Sequence, residues 1–276
     1  MKKIKPTFKE NVSETLLIPL YMRAKEAEEK NPIIVDEVSQ KILAKIDYNF
    51  NKFSADKRCQ FCISVRTKYF DEILRNFVAK YDDAVVVLLA CGLDPRIERT
   101  NVGKPFSSYL LDFADVIDFR RNILPESVSN QYIIGDITNR EWIDTVKAQH
   151  PNGHFLFIME GVAMYLTENQ IKRIFKNIDN NFPNAEIHIE RISKNFSQRT
   201  ETQQSVSATN ATFAWGCDNP LEIEDWGLKL KFQSEFYYFS QHFSQMYKRL
   251  GIKAFILKYL SKYRRSIGIW SYRKAG

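Results

Sequence analysis

Apolar positions along the chain follow two rhythms, and the change between them divides it. Between 12 and 30, Leu16, Leu17, Leu20, Tyr21 and Ala24 recur every three or four residues, which predicts a helix, and Asn31-Pro32 ends the pattern. A second helix is expected over 36–46, with Asp36 as its N-cap and Val38, Ile42 and Ile46 on one face. A third is expected over 64–81, where Val65, Tyr69, Ile73, Phe77 and Val78 keep the helical period.

From Ala84 that period is lost. Residues 84–90 form an unbroken apolar, largely β-branched run with the length of a buried parallel strand, and the run stops at the turn Cys91-Gly92-Leu93-Asp94. Short strands are expected at 108–111 ending on Asp112, at 132–134 ending on Gly135-Asp136, at 155–159 ending on Glu160-Gly161, and at 185–190. Helices are expected over 113–123 and from the cap Thr167 to Asn181. Alternating strands and helices imply an α/β fold with a parallel sheet. Residues 194–220 are polar with few periodic apolar positions and read as a loop or lid insertion. A β-rich stretch follows at 228–238, then a helical stretch over 240–262 broken near Gly251, then a last strand at 267–273.

Composition adds bounds rather than a function. A chain of 276 residues, 44% hydrophobic and 26% charged, can bury a core without disulfide or metal staples. The formal charge of +7 raises the reading of a nucleic-acid or membrane-surface binder. Lysines and arginines occur throughout the chain, however, and the densest run, 258–265, alternates with Tyr and Leu as an amphipathic helix end does. The expectation is a lysine-rich surface with no nucleic-acid partner and no membrane. Cys59 and Cys62 form a C-x-x-C, but no second pair or close His pair completes a tetrahedral site, so no metal is expected. With no signal-like or membrane-spanning apolar run, the setting read from the sequence is cytoplasmic.

The chemistry lies at the strand ends. Gly92 with Asp94, then Asp112, Asp136 and Glu160, close four successive strands. In open α/β sheets ligands bind outside these ends, and a row of acids there calls for a cationic or polyhydroxylated ligand. An acid ending the second strand suits ribose hydroxyls. A dinucleotide diphosphate would need G-x-G-x-x-G, whereas here the turn is Ala90-Cys91-Gly92-Leu93-Asp94-Pro95, with an acid where an anion cradle would be.

Several stretches carry a more specific resemblance: SETLLIPLYMRAKE, ISVRTKYFDEIL, VVVLLACGLDPRIER, YLLDFADVIDFRRNIL, IIGDITNREWIDTV and FLFIMEGVAMYLTENQIKRIF. Together they resemble the leucine carboxyl methyltransferase-like family, and within it the polyketide O-methyltransferases of the tetracenomycin type. The resemblance is strongest over 13–192. It implies a class I methyltransferase fold, a Rossmann-like sheet with its last strand antiparallel, and S-adenosylmethionine as cofactor. It divides the chain into one methyltransferase domain: a helical cap at 12–63, a cofactor-binding core at 64–192, a lid or acceptor insertion at 193–227, and closing strands and helix at 228–276. It assigns Arg66 to the methionine carboxylate, the backbone of Ala90, Cys91 and Gly92 with Asp94 to the cofactor turn, and Asp112 to the ribose. Asp136 and Ile137 are assigned to the adenine, Glu160 to the region of the amino group, and Arg23 to the covering helix. Tyr165, His188 and Arg191 are the candidates facing the acceptor, a small molecule or a carboxylate. Two departures stand out: Ala90 replaces the first glycine of the family turn, and Pro95 replaces its threonine. The first motivates an alternative, a cofactor-binding protein with weak or lost turnover. The oligomeric state is left open.

Overall fold

A computed structural model describes residues 3–9, 11–202, 204–209 and 211–274. Seven strands form one sheet: β1 (Ala84–Leu89), β2 (Ser107–Asp112), β3 (Asn130–Ile134), β4 (His154–Met159), β5 (Asn184–Ile192), β6 (Leu230–Tyr237) and β7 (Ile267–Lys274). Their order is β3-β2-β1-β4-β5-β7-β6. The pairings from β3 across to β5 are parallel, and β7 runs antiparallel to both its neighbours. This is the expected Rossmann-like arrangement. All six residues of β1 are buried, because helices cover both faces of the central strand. The chain runs outward from β1 to β3 and returns to β4 on the other side, so a crevice opens above the ends of β1 and β4, where the strand order reverses.

Helices α1 (Leu17–Glu26) and α2 (Glu37–Lys45) precede α3 (Lys57–Lys80). In the sheet region follow α4 (Arg96–Thr100), α5 (Ala114–Arg121), α6 (Glu141–Gln149) and α7 (Glu168–Asn181). On one face of the sheet Val85, Val87 and Leu89 pack with Trp142 and Ile143 of α6 and Ile174 and Phe175 of α7. On the other, Val86 and Leu88 pack with Phe61, Val65 and Leu74 of α3. A third cluster joins α1 and α2 to Phe119 and Leu124 near α5.

Several elements differ from the reading of periodicity. The first helix is a 3₁₀ segment, Asn11–Leu16, leading into α1, which stops at Glu26 rather than 30. Helix α3 starts at Lys57, seven residues before 64, because Asp56 caps it by accepting from the Cys59 N–H at 2.9 Å. The C-x-x-C therefore occupies the first two turns of a helix, with both thiols free. The strand expected through Ala90 ends at Leu89, since Ala90 turns left-handed with φ 58°. Helix α4 opens directly after Pro95, a residue suited to a helix start, and α6 was not expected, although Trp142, Ile143 and Val146 carry a helical period. The polar 194–220 segment is packed rather than only covering: it holds the one-turn helices α8 (Lys194–Ser197) and α9 (Gln204–Ser207), and it buries Ala211, Trp215 and Cys217. Beyond α10 (Leu221–Glu224), the helical stretch breaks into α11 (Phe243–Leu250), α12 (Lys253–Tyr259) and α13 (Ser261–Arg264).

Candidate active site

Above the crevice lies a cavity of about 230 Å³ that opens to solvent. Its two ends differ in kind.

The polar end is built on the carboxyl ends of β1, β2, β4 and β5. After β1, Ala90 and Gly92 both adopt positive φ, 58° and 51°. Gly92 has no side chain to strain, and a Cβ there would meet the Leu16 side chain at 3.2 Å. The turn is pinned by the Cys91 N–H donating to the Leu111 carbonyl at 3.0 Å and by Arg120 donating to the Gly92 carbonyl at 3.1 Å. Asp112 accepts one backbone N–H on each oxygen, from Gly92 at 2.7 Å and Phe113 at 2.8 Å. Each carboxylate oxygen has a second lone pair, so Asp112 can still accept from two hydroxyls. Burial raises its pKa to about 6, against the lowering effect of those two N–H groups.

Behind this rim stands one connected ion-pair network of four guanidiniums and five carboxylates. Arg66 meets Glu160 at 2.9 Å and Glu190 at 2.8 Å. Arg96 meets Asp94 at 2.8 Å, Asp71 at 3.6 Å, and Glu160. Arg99 meets Asp36 and Asp71, each at 2.8 Å, and Asp94 at 3.1 Å. Arg23 meets Asp36 at 3.2 Å and Asp94 at 3.8 Å. Two rows can be told apart. Arg96, Arg99, Asp36 and Asp71 do not line the cavity, and their charges cancel. Arg23, Arg66, Asp94, Glu160 and Glu190 do line it, and together they carry one excess negative charge. On the other side of the cavity Asp56 and Arg58 add a cancelling pair. Burial would raise the Asp94 carboxyl, but Arg96, Arg23 and Arg99 overcome that and hold it well below the usual carboxylate range.

The apolar end is assembled from distant parts of the chain: Ile18 and Pro19 of α1, Cys62 and Ile63 of α3, Met164 and Tyr165 after β4, Phe196 and Phe213 of the packed insertion, and Phe239. Tyr165 and Phe213 meet ring to ring at 5.5 Å. Burial pushes the Tyr165 phenol above its ordinary range, so it stays a neutral hydroxyl. Burial also raises the Cys59 thiol to about 12 and the Cys62 thiol further, which leaves both as small apolar groups rather than nucleophiles. No group of three or more His, Cys, Asp or Glu suited to a metal occurs among the described residues.

The structure brings Arg23, Arg66, Ala90, Cys91, Gly92, Asp94, Asp112, Glu160 and Tyr165 to this one cavity. Four expected residues do not line it. Arg191 lies on the opposite face of β5, because side chains alternate along a strand and Glu190 and Ile192 take the cavity side. Its guanidinium stacks over Trp270 at 4.6 Å and donates to the Arg265 carbonyl at 2.7 Å. His188 shares the face of Glu190 but sits two residues, about 7 Å, further from the strand's end. There it is buried against the Tyr69 hydroxyl at 3.1 Å and Glu186 at 2.8 Å. Asp136 turns its carboxylate onto its own loop, accepting from the Thr138 N–H at 2.8 Å, and Ile137 packs into the core. Arg66 lines the cavity with its guanidinium already engaged: Nε and Nη1 face Glu160 and Glu190, and Nη2 lies beside Gly161, which also lines it.

Glu190, Arg96 and Arg99 were missed. Glu190 is fully buried and accepts from Arg66, from the Gly161 N–H at 2.7 Å and from the Tyr238 hydroxyl at 2.8 Å. A signal was available, since Glu190 is an acid ending the fifth strand just as the others end the first four. Phe113 and Val116, which line the cavity beside Asp112, gave none.

Comparison with known proteins supports the same reading. The family model of leucine carboxyl methyltransferase matches residues 17–179, more than half of the chain. The chain is 30% identical over 224 residues to a tetracenomycin polyketide synthesis O-methyltransferase of Streptomyces glaucescens, covering 81% of this chain and 82% of that one. It is 27% identical over 259 residues to an S-adenosyl-L-methionine-dependent methyltransferase of Gibberella zeae, covering 86% and 84%. Among solved structures, a DUF574 family protein from Streptomyces avermitilis aligns with a TM-score of 0.59 at 8% identity, over 96% of this chain and all of that one. An S-adenosylmethionine-dependent methyltransferase from Anabaena variabilis aligns at 0.51 and 10% identity, over 100% and 99%. At such identities these two speak for the fold alone. The chain belongs to the leucine carboxyl methyltransferase family and is an S-adenosylmethionine-dependent methyltransferase.

Proposed function

We propose that the protein methylates an oxygen of a small, largely apolar aromatic acceptor, polyketide-like, and that this oxygen reaches the site already ionised, as a carboxylate or an acidic hydroxyl. One observation carries the reading: a cavity whose lining bears two excess negative charges (Arg23, Arg58 and Arg66 against Asp56, Asp94, Asp112, Glu160 and Glu190) opens into an aromatic chamber that no histidine lines. The methionine part of the cofactor has a sulfonium, an ammonium and a carboxylate, a net charge of +1 that complements the rim. The cofactor supplies an electrophilic methyl group on its sulfonium.

The chain's own residues position and desolvate. Asp94 and Glu160 face the ammonium, Nη2 of Arg66 takes the carboxylate, and Asp112 accepts from the ribose hydroxyls. Phe113 and Val116 flank the base. The helical cap and the 193–227 insertion enclose the acceptor and exclude water, which can contribute several powers of ten in rate through orientation. Every carboxylate on the rim is already committed to a guanidinium or to backbone N–H groups, and the Tyr165 phenol stays protonated. A neutral phenol would therefore find no base, whereas an ionised oxygen needs none.

The test is a labelled-methyl assay on paired acceptors, each aromatic carboxylic acid set against its hydroxymethyl and phenolic analogues. The expected product is an alkali-labile methyl ester, or the methyl ether of an acidic hydroxyl. Transfer to amines, or to weakly acidic phenols with a rate that climbs through their pKa, would defeat the proposal. A second reading, cofactor binding without turnover, is favoured by the left-handed Ala90 on the rim. Calorimetric binding with no product across the panel would support it.

A further inference from the structure

Helices of a water-exposed domain turn their apolar stripe toward the core. At the C-terminal end of this chain the stripe faces outward. Ile252, Phe255, Ile256, Tyr259, Leu260 and Tyr263 recur at helical spacing along α12 and α13, and they are between 41% and 72% exposed. Only Ala254 of α12 is buried. With Tyr247 of α11, this short segment holds seven of the twelve exposed large hydrophobic residues among the described part of the chain.

Charge is concentrated at the same place. All 33 acidic residues precede Phe236, whereas nine of the 40 lysines and arginines follow it. Residues 1–235 thus carry a formal −2 (31 bases against 33 acids) and residues 236–276 a formal +9, so the excess charge of the whole chain resides in its last 41 residues. Basic residues do occur throughout, as the sequence suggested; it is the acids that stop. Lys248, Lys253, Lys262 and Arg264 have no carboxylate at ion-pair distance among the described residues, Lys258 lies over the Phe243 ring at 4.5 Å, and Arg249, Arg265 and Arg273 pair with acids of the body.

We propose that α11–α13 form a docking face for an anionic lipid bilayer, with the outward stripe in the headgroup boundary and the unpaired lysines on the acidic surface. Interfacial helices combine an apolar face with Lys and Arg in this way. Charge complementarity selects the occupant. A second copy of the chain would bring two acid-free basic faces together. A nucleic acid would satisfy the lysines but leave Ile252, Ile256 and Leu260 without an apolar partner. This is contact with one leaflet, since no helix among the described residues is long and apolar enough to cross a membrane. The face rests on the segment Tyr238–Ser240, whose Phe239 lines the aromatic chamber. The proposal is independent of which acceptor the chamber takes.

The test is flotation of the full chain with phosphatidylcholine vesicles, alone or containing roughly 30% phosphatidylserine, at about 0.1 M and about 0.5 M salt. The expected result is binding only to the anionic vesicles at the lower salt. Ile256→Glu with Tyr259→Glu should weaken that binding at least about tenfold, and Lys253→Gln with Lys262→Gln should weaken it about as much and flatten its salt dependence. Both pairs should keep the wild-type affinity for S-adenosylmethionine, which reports intact folding. Three results would overturn the proposal: no flotation with anionic vesicles at low salt, equal flotation with neutral ones, or a concentration-dependent dimer that the Ile256→Glu pair abolishes. Salt-sensitive RNA retention unchanged by that pair, without vesicle binding, would assign the face to nucleic acid instead.

Discussion

The two ends of the cavity are held by different physics. At the rim, nine charged side chains form a closed network in which every guanidinium touches at least two carboxylates. In the chamber, Ile63, Met164, Phe196 and Phe213 meet by area and ring contact, and Tyr165 joins them with its hydroxyl hydrogen-bonded to Thr15. Removing one member of a buried charge network leaves the others unpaired, so the rim tolerates little change. Trimming one apolar side chain leaves space that neighbours or solvent can partly fill, so the chamber can change shape at small cost to the fold. Within one fold, then, the cofactor end is constrained by electrostatics and the acceptor end is free to vary.

The largest expected effect tests the rim. Arg96 is fully buried between Asp94, Asp71 and Glu160. Arg96→Ala should lower the unfolding free energy by about 3–5 kcal/mol, measured by urea denaturation. A loss under 1 kcal/mol, on the scale of an exposed pair, would mean the network is solvent-screened and the comparison misdrawn. Next, Asp112→Ala should weaken S-adenosylmethionine by roughly 1–3 kcal/mol in calorimetric titration, and unchanged affinity would remove Asp112 from the ribose site. In the chamber, Phe213→Ala should raise the acceptor KM by roughly tenfold, the equivalent of losing about 1.4 kcal/mol of apolar contact, with little change in cofactor affinity. A matching loss of cofactor affinity would show that the two ends are not separable.

Asp112 also sharpens the comparison through pH. Burial raises its pKa from an ordinary 3.8 to about 6, so between those values the folded protein holds a proton that the unfolded chain releases. The contribution of this group to the cofactor-free fold therefore rises as the pH is lowered from about 6 toward 4. Ribose hydroxyls need the ionised form, so cofactor affinity should move the other way, falling as the pH drops through about 6. Parallel pH series of stability and affinity check these opposed signs, and affinity flat from pH 8 to below about 5 would sink the assignment. The smallest effect concerns Ala90, whose φ of 58° strains any residue with a Cβ. Ala90→Gly should add about 1 kcal/mol of stability and should not reduce cofactor affinity, read by thermal unfolding and titration.

How much of this was legible depended on whether the signal was local. The apolar run from Ala84, the Asp112 that ends β2 and the Thr167 cap are each written in a few adjacent residues, and each appears in the fold, the run as a strand to Leu89. Ala90 left the strand because its left-handed turn depends on the crossing of Leu111 and Arg120 beneath it, not on its own identity. Arg191 was misplaced because a one-residue step along β5 changes the face, and periodicity located the strand without stating which face the cavity occupies. The packed 194–220 segment reads as polar because its apolar residues crowd into the short stretch 211–217, where Trp215 and Cys217 are held by the backbone carbonyls of Met164 and Ile192.

The sequence by itself determined the alternation of strands and helices, the acids that end the parallel strands, and an acid-free, basic final stretch, since each follows from local pattern and charge. Only the tertiary structure decided that Glu160 and Glu190 share Arg66, that Arg96 and Arg99 close the network from behind, and that side chains from five separate segments make one aromatic chamber. Those facts depend on which strand ends meet at the reversal of strand order, and distances across that crevice are set by packing of the whole sheet rather than by any neighbourhood along the chain.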